Sequence, residues 1–280
     1  MTHGPLWKRL VRGTRWVWSA QRYRDALPAD LDATVMALDA RDRLHAKQGR
    51  STARVVFHSP AGPLPVYLKR HYRLPWRDRV AAVLQPNGRH SPASAEWAHL
   101  ERARALGIAV PDAVAAGERI GPWGELQSYL LVAELTGCEA LNEVLPTLVA
   151  SLTPTRFAAF KRALIAEMAD ITSRLHQARA FHKDLYLCHF FLDLSRLNEA
   201  GPKLTLIDLH RMGEHRWWAD RWRWKDLGQL LYSTHGVAGI DDRDRVRFWT
   251  LYRRKLGLRR PRWHRRMVRL KAARYLAHNR

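Results

Sequence analysis

The sequence predicts an α+β chain of two lobes, the first rich in strands and the second in helices. Three observations carry that expectation. Between Arg54 and Lys69 the segment RVVFHSPAGPLPVYLK sets two β-branched or aromatic runs on either side of a Pro/Gly turn, the pattern of a hairpin. From Phe157 onward, Phe160, Leu164, Met168, Ile171 and Leu175 recur every three or four residues, the pattern of a long amphipathic helix. Directly after that helix come a charged loop, FHKDLYLCHFFLDL, and the strand-like KLTLIDL of Lys203 to Leu209.

The remaining elements follow in order. A helix is expected from about Pro92 to Leu106, where Trp97, Leu100 and Arg104 share helical spacing and Gly107 is a stop. Tyr129 to Leu135 reads as a buried strand. Thr153 and Pro154 stand as N-cap and first residue of the long helix. Trp222 to Tyr232 and the stretch from Val246 to Ala277 read as further helices. No repeat or low-complexity linker interrupts the chain. The expected division is a basic, Trp/Arg-rich segment at 1–35, a strand-rich lobe at 36–133 and a helical lobe at 134–280.

The 280 residues are 46% hydrophobic, enough to bury a substantial core in one large domain or two lobes. No run approaches the ~18 consecutive apolar residues of a membrane span. The opening MTHGPLWKRLVRGTRWVW lacks the uninterrupted apolar core of a signal peptide, so the expected location is the cytoplasm. Cys138 and Cys188 lie in different segments without metal-ligand spacing, which argues against a disulfide framework or a zinc site.

Lys and Arg number 48 against 26 Asp and Glu, a net charge of +22, which draws a protein toward polyanions. Nucleic acid, an anionic membrane and a phosphorylated glycolipid all qualify. Of 12 tryptophans, Trp7, Trp16, Trp18, Trp217, Trp218, Trp222, Trp224 and Trp263 lie among arginines or lysines. Indole beside cationic side chains suits a headgroup layer, and it also suits stacked bases.

Two acidic loops decide the chemistry: His182-Lys183-Asp184-Leu185 and Leu206-Ile207-Asp208-Leu209, their aspartates 24 residues apart (208 minus 184). Phosphoryl transfer needs one carboxylate to orient and deprotonate the attacking hydroxyl and another to hold the magnesium that bridges the nucleotide phosphates. The pattern resembles the His-Arg-Asp and Asp-Phe-Gly motifs of protein kinases; a polar turn after a helix is the plain alternative. Upstream, Lys69 ends the strand VYLK, as the kinase lysine ends its third strand, and Glu96 falls in the following helix, where kinases keep that lysine's partner. Taken singly, each is as well read as a snorkelling lysine or a solvated glutamate. Their order along the chain favours function. Glu134, ending YLLVAEL, falls where a kinase hinge binds adenine through its backbone.

The wording is more specific than the general kinase pattern. HKDLYLCHFFL followed by LIDLHR, with KQGRST before the hairpin, VYLKRHYRLPW at the lysine and RWRWKDLGQLLYS after the second aspartate, closely resembles the lipopolysaccharide kinase family. The resemblance spans roughly Lys47 to Tyr232. It implies the protein-kinase-like fold and a bacterial cytoplasmic enzyme that phosphorylates an inner-core sugar, a heptose or 3-deoxy-octulosonic acid (Kdo), from ATP with magnesium. It also implies Asp184 as the base, Asp208 as the metal ligand, Lys69 and Glu96 as the phosphate-positioning pair, and Asp226 as an anchor under the catalytic loop.

Two departures from protein kinases stand out. Five residues after the base, where a kinase has asparagine for a second magnesium, this chain has His189. Magnesium prefers oxygen, so His189 is either part of an altered metal site, as the family pattern implies, or a packed core residue. The candidate phosphate loop, Gln48-Gly49-Arg50-Ser51-Thr52, has a single glycine; Ser51 and Thr52 could donate to phosphate, or the segment could be a plain turn.

From Leu251 to Arg280 there are twelve Lys or Arg and no acid. Trp263, Met267 and Leu270 would share a helix face beside Arg262, Arg266 and Arg269. Such a helix can lie on an anionic membrane or pack within the second lobe with its charges solvated, and the two are compatible. The leading expectation is a kinase of the lipopolysaccharide core glycolipid, peripheral on the anionic inner membrane, with nucleic acid not the expected partner. Its rivals are a protein or small-molecule kinase of the same fold and a catalytically silent kinase-like polyanion-binding protein. Retention of Lys69, Glu96, Asp184 and Asp208 speaks against the silent one.

Overall fold

A computed structural model describes residues 7, 11–38, 49–60, 62–73, 91–121, 125–197 and 201–278, and the backbone of 43–47. Six antiparallel strands form one sheet in the order β1-β5-β6-β4-β3-β2. They are β1 Thr14–Ser19, β2 Arg43–Lys47, β3 Arg50–Ser59, β4 Gly62–His71, β5 Ala113–Ile120 and β6 Leu126–Ala133. The pair β3 and β4 is the expected hairpin, closed with Ser59 opposite Gly62. Side chains alternate along β4. Val66 and Leu68 join Leu31 and Val35 of helix α1 (Leu31–Ala37), Val114, Ala115, Tyr129 and Leu131 in the core, which turns Tyr67 and Lys69 to the other face. Tyr129 crosses so close to β5 that a Cβ at Gly117 would meet its ring at 2.5 Å. With glycine there, the Tyr129 hydroxyl donates to Asp32 Oδ1 at 2.6 Å and ties the sheet to α1.

Helix α2, Pro92–Ala105, begins where the Ser94 amide donates to Ser91 Oγ at 3.0 Å, with proline at the first helical position. Its Trp97 ring meets Trp16 and Trp18 of β1, both at 5.2 Å between centroids. Those two indoles are therefore packing groups, although they lie among arginines in the sequence. The first compact unit comprises Met1–Glu101 with Pro111–Leu135.

The second unit comprises Arg102–Val110 with Thr136–Arg280. Its helices are α3 Leu141–Ser151, α4 Pro154–Gln177, α5 Ala219–Ser233, α6 Asp242–Leu256 and α7 Pro261–His278. Helix α4 starts as expected, the Thr153 side chain accepting from the Arg156 amide at 3.4 Å. Its Leu164, Met168, Ile171 and Leu175 are buried. Ala169, Leu227, Tyr252 and Val268, one from each of α4, α5, α6 and α7, form a shared core. The face of α7 that packs is His264, Val268 and Ala272; Trp263 and Leu270, expected on the apolar face, are about half exposed. The basic C-terminus thus belongs to the helical core.

Two small sheets carry the functional loops: β10-β9-β7 and β11-β8, built from β7 Cys138–Ala140, β8 Ala180–Phe181, β9 Phe190–Asp193, β10 Leu204–Leu206 and β11 Gly213–Glu214. Cys138 and Cys188 are free thiols. Among the described residues no helix is long and apolar enough to cross a membrane.

Candidate active site

In the first unit Lys69 Nζ lies 2.5 Å from Glu96 Oε1, the lysine side chain 24% exposed and the glutamate 4%. Strand β4 aims the lysine at the face that receives α2, and the helix supplies the acid one turn from its start. The candidate phosphate loop is only partly a loop. Gly49 occupies the β2–β3 turn at φ +78°, a conformation that favours glycine, while Ser51 and Thr52 are already in β3. Thr52 lies opposite Lys69 in the ladder. Ser51 is buried and accepts from Arg70 Nε at 3.1 Å, so its hydroxyl serves the core and not a phosphate, a correction to the expectation. Gln48 lies outside the described residues.

Glu134 follows β6, and its amide donates to the Pro65 carbonyl at 3.0 Å. Its carboxylate receives Arg54 twice, at 2.8 and 2.7 Å, and the Tyr67 hydroxyl at 3.3 Å. Hydrogen bonding to Arg54 holds that carboxyl below the usual range.

The second unit brings Asp184 and Asp208 together by stitching two loops. Strand β8 ends at Phe181 and delivers His182, Lys183 and Asp184; β10 ends at Leu206 and delivers Ile207 and Asp208. The His182 Nε2 donates to the Ile207 carbonyl at 3.0 Å, and the Ile207 amide donates to the His189 carbonyl at 2.9 Å. His189 Nδ1 in turn donates to the Asp184 carbonyl at 2.6 Å. Two of these residues take left-handed backbone, Lys183 at φ +66° and Asp208 at φ +61°. Such conformations persist in a non-glycine residue only where the surroundings fix them.

Helix α5 holds the Asp184 loop from below. The buried Asp226 accepts the amides of His182 and Lys183, both at 2.8 Å, as well as His176 Nε2 at 3.2 Å. Three residues on, Gln229 Nε2 donates to Asp184 Oδ1 at 3.1 Å, and four further Ser233 Oγ accepts the Leu187 amide at 2.8 Å. Spacing of three and four puts all three on one helix face. Lys225 donates to the Lys183 carbonyl. Burial pushes the pKa of His176 and of His182 down, keeping both rings neutral.

The second Asp184 oxygen is met by Arg211 Nη1 at 3.0 Å. Neither Arg211 nor Gln229 was assigned a role from sequence, although both lie in the quoted strings. The signal was the D-x-x-Q-x-x-x-S spacing of α5, which marks one face but not its target.

Asp208 Oδ1 lies 2.6 Å from His210 Nδ1, and Oδ2 lies 3.7 Å from His189 Nε2. Magnesium is commonly held by one or two carboxylates plus substrate phosphates and water, and Asp208 is a donor of that kind. His189 presents a nitrogen, the poorer ligand for this ion. The donor set therefore fits a magnesium that comes with a nucleotide.

An aspartate presented by a helix-anchored loop, a second ending a short strand, and a lysine–glutamate pair on the sheet unit are the parts of a phosphotransferase of the protein-kinase-like fold. Comparison with known proteins narrows this to one group. The chain belongs to the lipopolysaccharide kinase (Kdo/WaaP) family, whose model matches residues 42–252. It is 30% identical over 190 residues, 68% of this chain and 69% of the relative, to the lipopolysaccharide core heptose(I) kinase WaaP of Pseudomonas aeruginosa. To the protein of the same name from Escherichia coli K12 it is 31% identical, over 57% of this chain and 59% of the relative. A solved structure of a WaaP in complex with acyl carrier protein matches with a TM-score of 0.66 and 26% identity, covering 91% of this chain and 99% of that one.

Proposed function

We propose that this protein phosphorylates a hydroxyl of an inner-core heptose of lipopolysaccharide, with ATP as donor. Asp184 carries the reading: its carboxylate is fixed by Gln229 and Arg211 on a loop whose backbone is itself held, as a base for a sugar hydroxyl must be. Asp184 accepts the proton as the hydroxyl oxygen attacks the γ-phosphorus of ATP, the bond to the β–γ bridging oxygen breaks and ADP leaves. Lys69, aligned by Glu96, receives the charge of the nucleotide phosphates, with Thr52 opposite it in the ladder. With its amide engaged, Glu134 would meet adenine through its carbonyl. Asp208 would hold magnesium, which supplies charge neutralisation at the phosphates; His189 and His210 orient that carboxylate rather than replace it.

The acceptor is a glycolipid, and a chain carrying +22 is suited to work as a peripheral protein on an anionic cytoplasmic membrane face. The test is mass spectrometry of core oligosaccharide from cells with and without the gene, together with transfer from labelled ATP to purified dephosphorylated core. A core unchanged in phosphate content, with no transfer in vitro, would remove the reading and favour a protein or small-molecule acceptor.

A second partner has its own supporting observation. In the second unit Leu164, Met168, Leu227, Leu230, Phe248 and Trp249 line a cavity of about 340 Å³; at its wall Arg245 pairs with Asp242 and Lys161 with Asp244, and Arg265 and Arg269 add further positive charge. Apolar lining with a net positive margin suits an acyl chain delivered by an acidic carrier. We propose that this chain, like the solved WaaP, associates with acyl carrier protein. Co-elution with acyl-loaded but not unloaded carrier checks it; equal binding of the two forms would exclude the cavity.

A further inference from the structure

Trp217 and Trp218 are the most exposed large apolar residues among those described, each at 81%. They follow β11 and precede α5, and neither ring touches another aromatic ring or a cation among the described residues. Trp218 takes φ +62°, a conformation sparsely populated by bulky residues and held only where the surroundings fix the backbone. Exposed cations flank the pair, Arg216 before it and Arg221 after it, whereas the two nearby acids, Glu214 and Asp220, are ion-paired with Arg102 and Arg223.

The pair is tied to the catalytic loop by a short, ordered path. Strand β11 pairs with β8, whose next residues are His182, Lys183 and Asp184. The His215 amide donates to the Arg179 carbonyl at 3.0 Å, and Arg179 returns a side-chain bond to the Arg216 carbonyl. The His215 ring stacks on Trp222 at 4.6 Å, and the Lys183 ammonium lies 4.9 Å over that same indole.

We propose that the Arg216–Trp218 loop is the membrane-docking element of this protein, its two indoles entering the headgroup layer of an anionic bilayer while Arg216 and Arg221 meet lipid phosphates. Adjacent indoles with flanking cations and no unpaired acid match that layer in polarity and in charge. A membrane so engaged lies next to the loop that carries the base, where the sugars of a bilayer-anchored acceptor would be. That last step rests on the proposed kinase function. The docking itself does not.

The experiment is vesicle partition of the full chain and of Trp217→Ser/Trp218→Ser, on phosphatidylcholine with and without phosphatidylglycerol, at low and high salt. The double variant should lose about tenfold or more in partition to anionic vesicles, with its melting temperature and nucleotide affinity unmoved. In the wild type, brominated lipid should quench a tryptophan component that the double variant lacks, and Trp217→Phe/Trp218→Phe should keep most of the binding. Undiminished partition of the serine variant, or no component quenched in the wild type, overturns the proposal. So does a shift from dimer to monomer without loss of vesicle binding, which would assign the surface to a second copy of the chain. Partition is scored without turnover, so failure here is separable from failure of the kinase reading.

Discussion

Lys69 is held by a side chain, Glu96, whereas the loop bearing Asp184 is held through its own backbone by residues of one helix and by a histidine relay to the Asp208 strand. The lysine pair sits on regular elements, β4 and α2, whose geometry the sheet register and an N-cap already determine. The aspartate loop has no regular structure of its own and contains left-handed backbone, so its shape must be imposed. The difference implies that mutations beneath the aspartate loop should cost chemistry and stability together, while on the nucleotide side stability should suffer only where the buried Glu96 is left unpaired.

The strongest way to break that comparison is Asp226→Ala. It strands the buried His182 amide, the part-buried Lys183 amide and the His176 ring, and the loss of a buried acceptor is expected to cost ~3–5 kcal/mol, with activity abolished. Denaturant unfolding with turnover measured in parallel checks it. Unchanged stability would mean the loop does not depend on its anchor.

On the loop itself, Asp184→Asn should lower turnover by ~10²–10⁴ while nucleotide affinity holds. Lys69→Met alone leaves the buried Glu96 unpaired and should destabilise; Lys69→Met/Glu96→Gln should recover the stability but not the turnover. Recovery of turnover in the double variant would reduce the pair to a structural contact.

The anchor also predicts a pH dependence. His176 and His182 have folded pKa values pushed below the ordinary ~6.5 by burial, so the unfolded chain takes up protons first as pH falls. Stability should therefore be full above about 6.5 and decline below it, by up to ~1.4 kcal/mol per pH unit for each histidine. Thermal melts between neutral and acid pH test the slope, and His176→Gln should flatten it. A flat profile in the wild type would contradict the buried, neutral rings.

What was legible in the sequence follows the same divide. The hairpin, α2, α4 and the Lys69–Glu96 order could be read because periodicity and caps report regular elements. Strand β5 was missed because AVAAGERI lacks the β-branched and aromatic run that marks a strand, and α3 because Pro146 sits inside it as a breaker. The role of Trp16 and Trp18 stays open in the sequence because charge pattern alone cannot tell an indole packed on Trp97 from one facing lipid. Asp184 and Asp208 could be located by motif, but the spacing of Asp226, Gln229 and Ser233 showed only that they share a face. What that face grips is a tertiary fact.

Arg211 tests the comparison where it is weakest. Its guanidinium is 3.0 Å from Asp184 Oδ2, yet the side chain is 54% exposed, so among the described residues this is the one support of the base made by a solvated side chain. An exposed ion pair contributes ~0–1 kcal/mol to stability, so Arg211→Gln should leave the melting temperature within a degree or so. The carboxylate would keep Gln229 and lose its second donor, and a base free to swing spends less time aimed at the hydroxyl. The expected result is a fall of about tenfold in kcat with KM for the acceptor little changed, and partial rescue by Arg211→Lys, which restores charge without the planar fork. If KM rises instead, and only for acceptors bearing carboxylate or phosphate, Arg211 contacts the acceptor and the base is held by Gln229 and the backbone alone. A drop in melting temperature comparable to that of Asp226→Ala would place Arg211 among the anchors and erase the distinction between the exposed and buried supports of the loop.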